Sequence, residues 1–377
     1  MISLNSNLTP LKRSAIRTYT ELARSTPDCA MLTIGEPDFD TPECVKSAAW
    51  GALQGGQTHY APNQGTAELR QAIAAFETGR GNPTVPEEVL VTVGSTQALF
   101  TALLGILNPG EEVIVPVPAF SLYETIIAIA GAKMVPLDVS KTGFQIQAEA
   151  LHACITPKTK AIILNSPNNP TGVILNAHSV ETVRQAVQGK PIFVVSDNVY
   201  NMLSYAPCPD LSLCSELKEQ MLLCQSFSKP YAMTGWRLGY LVCPKYVMER
   251  LLLLSAGIIA AVPTFVQSAG LAALREDVSP MRDTYRRRRD FVLRRLTEMG
   301  LSYPTPEGAF YVFPDIRKYG MTSDVFCTRL IREGKLAAVP GSCFGVDGYI
   351  RLSYCYGDDA LKTGMDRLEA FLHTISH

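Results

Sequence analysis

Short, continuously apolar runs alternate with helix-length segments between about residues 89 and 243 of this 377-residue chain. The runs are apolar at every position rather than at every second one, which is typical of strands buried on both faces of a sheet. Helix-like segments between most of them favour βαβ units and a mostly parallel sheet with helices on both sides. The seven predicted strands are 89–93, 113–117, 134–137, 161–164, 192–195, 221–224 and 238–242.

The pattern changes after about residue 279, where strand-like and helix-like segments no longer alternate regularly. We interpret this part, together with the N-terminal segment, as a smaller α+β domain. The predicted division is a large domain of residues 45–280 and a small domain of residues 1–44 and 281–377. The elements predicted after residue 279 are helices at 282–299, 323–333 and 358–375 and strands at 309–313, 336–339 and 349–353.

Composition narrows the class of protein. With 47% hydrophobic and 18% charged residues, the chain is expected to be globular, and a net charge of −1 gives no field that would attract nucleic acid or an acidic membrane. No stretch has the apolar length of a membrane span, and the N-terminus lacks the apolar core of a secretory signal, so we expect a cytoplasmic protein. Ten cysteines without a C-x-x-C pair and five dispersed histidines indicate reduced thiols and no metal site.

Lys229 follows the predicted strand 221–224 and lies between two hydroxyl residues, Ser226 and Ser228. Burial lowers the pKa of a lysine ammonium, and the neutral amine is the form that attacks a carbonyl group. Ser226 and Arg237 are close enough in sequence to hold an anion beside it. The arrangement suits a Schiff base to a phosphorylated aldehyde, for which pyridoxal phosphate is the obvious candidate. The alternative interpretation is a surface lysine after a strand.

Polar residues follow several of the other predicted strands, and ligands of parallel sheets bind at such ends. Asp197 is costly to bury without a cation, and a protonated pyridine nitrogen ~4 Å away would contribute about 4 kcal/mol at an effective dielectric near 20. Tyr200 and the asparagines of segment 165–172 could bind a ring oxygen, and residues 94–96 a phosphate at a helix start. The alternatives are helix N-caps at Asp197 and at residues 94–96, and a stiff turn at 165–172.

Arg351 lies in the apolar run 349–353 near the C-terminus. A guanidinium there suits a substrate carboxylate, which it can bind through two parallel hydrogen bonds. A structural salt bridge is the alternative.

The short motifs of serine β-lactamases also occur in the chain, as Ser226-x-x-Lys229, Ser196-Asp-Asn198 and two Lys-Thr-Gly triplets. In that family the Ser-x-x-Lys serine opens a helix and precedes the other motifs. Here the Ser-Asp-Asn triplet comes first, and Pro230 follows the lysine at once. A serine hydrolase is therefore not expected.

In register and over nearly its whole length, the chain resembles the class I pyridoxal-phosphate-dependent aminotransferases of fold type I, which are aspartate aminotransferase-like. This resemblance implies an α/β large domain with a mostly parallel seven-stranded sheet flanked by helices, plus a smaller α+β domain. It also implies ping-pong transfer of an amino group between an L-amino acid and a 2-oxo acid. The landmarks are residues 35–42, 59–60, 65–70, 165–172, 197–200, 226–239, 308–311 and 351–353.

The resemblance also implies a role for each site residue. Lys229 would carry the cofactor as a Schiff base and move the proton, and Asp197 would pair with the pyridine nitrogen. Tyr200 and Asn169 would bind the ring oxygen. Tyr60 would reach in from a second subunit, so a homodimer with shared active sites is expected. The other implied ligands are Ser95, Thr96, Ser226 and Arg237 for the phosphate, Phe120 for the ring face, and Arg351, Gly35 and Asn169 for the substrate.

Two positions depart from the family pattern. Many bacterial aspartate aminotransferases of this type have a lysine at the position of Thr96, where it helps to bind the side-chain carboxylate, so we do not expect a strict dicarboxylate preference. Asn198 stands where a glutamate is common. The substrate stays open among aromatic amino acids, aspartate and N-acetylated diaminopimelate. A pyridoxal-phosphate-dependent C–S β-lyase, or a decarboxylase, on the same scaffold is the alternative function.

Overall fold

The computed structural model describes residues 5–9, 11 and 15–375 of the chain. The predicted small domain also includes residues 1–4, 10, 12–14, 376 and 377, which lie outside the described residues. The strands of the described part are β1 (Ala30–Met31), β2 (Val89–Thr92), β3 (Glu112–Val117), β4 (Lys133–Asp138), β5 (Thr159–Asn165), β6 (Phe193–Asp197), β7 (Met221–Ser226), β8 (Gly239–Val242), β9 (Tyr311–Val312), β10 (Leu336–Ala337), β11 (Val339–Pro340) and β12 (Ile350–Ser353). Its α-helices are α1 (Ala15–Arg24), α2 (Glu43–Gln54), α3 (Ala67–Gly79), α4 (Gly94–Ile106), α5 (Leu122–Ile129), α6 (Ala148–Cys154), α7 (Ala177–Val187), α8 (Lys245–Ile258), α9 (Thr264–Ala273), α10 (Ser279–Glu298), α11 (Ser323–Arg332) and α12 (Asp358–Ile375).

The largest sheet has seven strands in the order β2-β8-β7-β6-β5-β3-β4. The strands from β7 to β4 are parallel, whereas β8 runs antiparallel to both β2 and β7. Every residue of β2, β7 and β8 is buried, as the continuous apolar runs require. The predicted mostly parallel seven-stranded α/β sheet is therefore confirmed.

Helices cover both faces of this sheet. Ile163 of β5 packs in one apolar cluster with α4, α5 and α8, whereas its neighbours Ile162 and Leu164 pack in a second cluster with α7. Adjacent strand residues point to opposite faces, so a central strand must be apolar at every position. This packing gives the strand ends a rigid base.

The C-terminal part forms two smaller sheets. Strands β11, β12 and β9 make an antiparallel sheet, and β10 pairs in parallel with β1 from the N-terminal part. The single strand predicted at 336–339 is wrong, because the chain leaves one sheet and enters the other at Ala338. The predicted final helix agrees with α12 at both ends. The proposed domain boundaries stay a prediction.

The sheet topology brings several polar strand ends to one edge. Asn165 at the end of β5 is paired in register with Asp197 at the end of β6. At the end of β7, Ser226 is paired with Gly239, which begins β8. Helix α4 begins at Gly94, directly after β2. None of the helices formed by the described residues has the length and apolar character needed to cross a lipid bilayer.

Candidate active site

A cavity of about 230 Å³ lies at this edge of the sheet. Of the twelve site residues predicted from the sequence, all except Tyr60 line it. The lining includes Gly35, Ser95, Thr96, Phe120, Asn169, Asp197, Tyr200, Ser226, Lys229, Arg237 and Arg351. Residues that are up to 316 positions apart in the sequence, from Gly35 to Arg351, are therefore neighbours in one site.

The amine of Lys229 points into this cavity. Its Nζ donates a hydrogen bond of 2.6 Å to the backbone carbonyl of Gly35. Burial lowers the pKa of Lys229 to about 8, and the nearby cations Arg237 and Arg351 lower it further against the opposing effect of Glu36. An amine of this pKa is partly neutral near pH 7, so it can act as a nucleophile or a base.

Asp197 is a buried carboxylate with one satisfied oxygen. The hydroxyl of Tyr123 donates a 2.6 Å hydrogen bond to Oδ2, whereas Oδ1 has no partner among the described residues. Burial raises the pKa of Asp197 to about 6, opposed by the hydrogen bond from Tyr123. No α-helix begins at Asp197, so the N-cap alternative does not apply. The free oxygen points to a missing cationic or N–H partner.

Tyr123 was not among the predicted site residues. It follows Phe120 by three positions at the start of α5, and the two rings meet edge to face at 6.0 Å. Its position three residues after Phe120, which was predicted to stack on the cofactor ring, was a signal for it in the sequence. Its contact with Asp197 could not be predicted, because the two residues are far apart in the sequence.

The turn after β5 joins the strand ends to the C-terminal part. Asn165 donates from Nδ2 to the carbonyl of Asp197 at 2.9 Å and accepts from the backbone N–H of Asn169 at 2.8 Å. The side-chain oxygen of Asn169 in turn accepts a 2.9 Å hydrogen bond from Arg351. Asn165 therefore fixes the turn, and Asn169 connects it to the arginine.

Arg351 is buried, with 2% of its surface exposed. Its guanidinium lies between the rings of Tyr311 and Phe344, with its central carbon 4.6 and 5.0 Å from their centroids. It also donates to the carbonyl of Thr33, and its Nε has no partner. No carboxylate of the described residues forms a salt bridge with it, which argues against the structural salt-bridge alternative. A buried arginine held in this way is prepared to bind an anion.

The start of α4 lies beside the guanidinium of Arg237. Its N-cap residue, Val93, has no side-chain capping bond, so the first backbone N–H groups stay available. The guanidinium of Arg237 lies against Gly94, where an added Cβ would come within 2.7 Å of Nη2. A Cβ at Gly239 would likewise meet the backbone of residues 94 and 95 at 2.7 and 2.8 Å. Helix N-termini of this kind bind phosphate, and the helix-cap alternative for residues 94–96 does not hold.

Asn198 does not line the cavity. Its buried side chain accepts a hydrogen bond from Ser196 at 2.8 Å and donates one to Asp210 at 2.7 Å. Asp210 also accepts from the backbone of Ser212 at 2.9 Å. A glutamate at position 198 would face the Asp210 carboxylate, whereas the amide of Asn198 donates to it.

Tyr60 lies outside the cavity, and 91% of its surface is exposed. The carbonyl of the preceding residue, His59, accepts a hydrogen bond from Thr264 at the start of α9. Within the described part of the chain, no cluster of three or more histidine, cysteine or acidic side chains could hold a metal ion.

Comparison with known proteins identifies the family. Residues 27–368 match the family model described as aminotransferase class I and II. The chain is 38% identical to a probable N-acetyl-LL-diaminopimelate aminotransferase of Bacillus subtilis, covering 98% of this chain and 95% of the relative. It is also 38% identical to aromatic-amino-acid aminotransferase 2 of Thermococcus litoralis, covering 98% of both chains.

Solved structures agree with this assignment. The structure of aspartate aminotransferase from Thermus thermophilus with maleate aligns with a TM-score of 0.93 at 37% identity, over 98% of this chain and 100% of the other. All of these relatives are named as aminotransferases, which supports amino transfer and not the C–S β-lyase alternative. The chain therefore belongs to the class I and II aminotransferases and is a pyridoxal-phosphate-dependent transaminase.

Proposed function

We propose that the cavity around Lys229 is the site at which this transaminase moves an amino group between an L-amino acid and a 2-oxo acid. One observation carries the proposal. An amine with a pKa of about 8 shares a cavity with a buried carboxylate, Asp197, whose Oδ1 has no partner. Structural lysines and aspartates of a core would instead pair with each other or with other groups.

The donors and acceptors of the cavity match those of pyridoxal phosphate. The cofactor has an aldehyde, for which Lys229 is the partner, and a pyridine nitrogen, which fits the free oxygen of Asp197. Tyr200 and Asn169 border the same cavity and suit its ring oxygen. The remaining proposed ligands are Ser95, Thr96, Ser226 and Arg237 for the phosphate and Phe120 for the ring face.

Two side chains would do the chemical work. When bound, the cofactor supplies an electron sink for the negative charge left on the amino acid carbon. Asp197, kept ionised by a cationic neighbour, would hold the ring nitrogen protonated. Lys229, once its amine is free, would remove the proton from the substrate carbon and return it one position away. Its lowered pKa of about 8 leaves enough neutral amine for this step.

Arg351 and Gly35 would bind the carboxylate of the amino acid. The guanidinium is already fixed by Asn169 and by the carbonyl of Thr33, and its Nε is free. Because these contacts are formed before the substrate arrives, little side-chain entropy is lost on binding. Asn169 would thus contact both the ring oxygen of the cofactor and the arginine that binds the substrate carboxylate.

The charges that line the cavity favour an uncharged substrate side chain. Its cations are Lys229, Arg237 and Arg351, and each has a proposed partner already. Thr96 adds no charge. A second substrate carboxylate would therefore lose its water without finding a further cation among the described lining residues, and this desolvation is costly. We propose donors with neutral side chains, aromatic amino acids among them, in preference to aspartate.

Exposed apolar side chains support a homodimer in which Tyr60 completes the site of the partner. Trp50 of α2 is 61% exposed, and Leu253 and Ile258 of α8 are 68% and 49% exposed. Large apolar side chains exposed on the surface of α2 and α8 suit an interaction surface. Tyr60 neighbours the start of α9, and α9 follows α8 in the chain.

A cytoplasmic location and a two-domain division complete the proposal. All ten cysteines are free, which suits a reducing compartment. The seven-stranded sheet falls within residues 45–280, and β9 to β12 fall within residues 281–377. This supports the division into domains of 45–280 and of 1–44 with 281–377.

Two measurements test the proposed function. Borohydride reduction of the holoenzyme should fix the cofactor mass on the peptide that contains Lys229, and Lys229→Ala should lose this label. A panel of amino donors with 2-oxoglutarate should yield glutamate. Label on another peptide would refute the role of Lys229, and release of pyruvate and ammonia from cystathionine without glutamate formation would restore the β-lyase.

A further inference from the structure

Tyr311 in β9 connects two parts of the cavity and has no role in the proposal above. Its hydroxyl oxygen lies 2.8 Å from the hydroxyl oxygen of Tyr200. Its ring lies against the guanidinium of Arg351 at 4.6 Å. A Cβ added at Gly35 would overlap the Tyr311 hydroxyl, so the glycine leaves room for this contact. The tyrosine therefore contacts the residues proposed for the ring oxygen and for the substrate carboxylate.

Only one of the two hydroxyls can donate to the other. Each tyrosine has a single O–H, so only one of the two protons can lie between the oxygens. If Tyr200 donates to Tyr311, it has no proton left for the cavity. If Tyr311 donates to Tyr200, the Tyr200 proton is free to point at a ligand. In the described part of the chain, the Tyr311 hydroxyl has no other hydrogen-bond partner.

We propose that Tyr311 is a positioning residue that donates its proton to Tyr200 and thereby directs the Tyr200 proton to the ring oxygen of the cofactor. The inference rests on the proposed function, because it assumes that Tyr200 binds this oxygen. A hydroxyl that accepts a hydrogen bond becomes a stronger donor. The pair would therefore stabilise negative charge on the ring oxygen more than Tyr200 alone.

Both hydroxyls stay protonated over the working pH range. Burial raises the pKa of Tyr311 to about 12, although Arg351 lowers it, and burial raises that of Tyr200 well above its usual value. The other titratable and charged groups that face the pair among the described residues are Asp197, Arg351, Cys355, Tyr123, Tyr285 and Tyr356. A Tyr311→Phe substitution removes one oxygen and none of these groups.

The test is a pH titration of the absorbance of the bound cofactor in the holoenzyme. A weaker donor stabilises the negative charge on the ring oxygen less. The cofactor then keeps the proton that lies next to this oxygen up to a higher pH. Tyr311→Phe should raise the midpoint by roughly a few tenths of a pH unit, since one hydrogen bond strengthens the next by roughly 10–30%. Tyr200→Phe should raise it more, and the double variant should match Tyr200→Phe alone.

The double variant separates a positioning role from a structural one. An unchanged midpoint in Tyr311→Phe, or a shift that adds to that of Tyr200→Phe, would overturn the inference while leaving the role of Tyr200 intact. If Tyr200→Phe itself leaves the midpoint unchanged, the proposed role of Tyr200 fails and the inference fails with it. Tyr354→Phe is the matched control, because this buried tyrosine bonds to the carbonyl of Ala309 and not to Tyr200, and its midpoint should be unchanged.

Discussion

Tyr123 donates a 2.6 Å hydrogen bond to Oδ2 of Asp197 and leaves Oδ1 without a partner among the described residues. The two residues are 74 positions apart, and each is buried. The hydrogen bond restricts the rotation of this carboxylate, and Asp197 lines the cavity. Tyr123, which the sequence alone did not assign, thereby positions the carboxylate that we propose as the partner of the pyridine nitrogen.

We expect Tyr123→Phe to lower kcat/KM by roughly 10- to 100-fold, because a hydrogen bond to a charged group contributes about 1.5–3 kcal/mol. That bond lowers the pKa of Asp197, so its loss should also move the acidic limb of the pH profile to higher pH. Steady-state kinetics between acidic and neutral pH would measure both effects.

Tyr240→Phe provides the matched control for Tyr123→Phe. Tyr240 donates a 2.5 Å hydrogen bond to the buried carboxylate of Glu77, outside the cavity. Its loss should reduce stability and leave the pH profile in place. Equal pH shifts in the two variants would contradict the role of Tyr123.

Asp197→Asn should stabilise the cofactor-free protein at alkaline pH while abolishing amino transfer. The folded-state pKa of about 6 lies above the ordinary value of 3.8, so the contribution of the carboxyl to stability is lost as pH rises through about 6. The substitution should raise the free energy of unfolding by about 1–3 kcal/mol above pH 7 and leave it unchanged near pH 4. Urea unfolding at both pH values measures it.

The exposed Asp359→Asn is the control for that comparison, since its side chain is in solvent and should give no gain at either pH. A gain for Asp197→Asn that is the same at pH 4 and above pH 7 would show that the buried charge is not its cause.

Asn198→Asp should destabilise the fold by roughly 1–3 kcal/mol, because it removes the donor to Asp210 and places two carboxylates together. Asp210→Asn in the same chain restores a donor and should recover most of the loss. Urea denaturation of the two single variants and the double variant would give the coupling energy. Additive losses would show that the two side chains do not interact.

Mixing two inactive variants tests the shared active site. If Tyr60 enters from the partner, each active site takes Lys229 from one subunit and Tyr60 from the other. A hybrid of Tyr60→Ala and Lys229→Ala subunits then contains one site in which both residues are intact. Hybrids formed by dissociation and reassociation should therefore be more active than either parent. Mixtures of Lys229→Ala with Asp197→Ala should not recover, because both residues line one cavity of one chain. Recovery in the second mixture, or in neither, would contradict the proposed contribution of Tyr60.

Much of this protein was determined by local sequence. Runs such as 161–164 can be buried on both sides only in a sheet between helices, and they correspond to strands such as β5, Thr159–Asn165. The polar residues that follow these strands, Asp197 and Lys229 among them, had to meet at one edge because parallel strands end on the same side. The final helix was predicted at both ends, since its apolar period and flanking residues are local.

Only the tertiary structure decided which distant side chains touch. The split of segment 336–339 between two sheets depends on partners elsewhere in the chain, β1 and β12. The contacts of Tyr123 with Asp197 and of Tyr311 with Tyr200 join residues 74 and 111 positions apart. A local pattern can require that a polar group be satisfied, but the packing of helices and sheets selects the group that satisfies it.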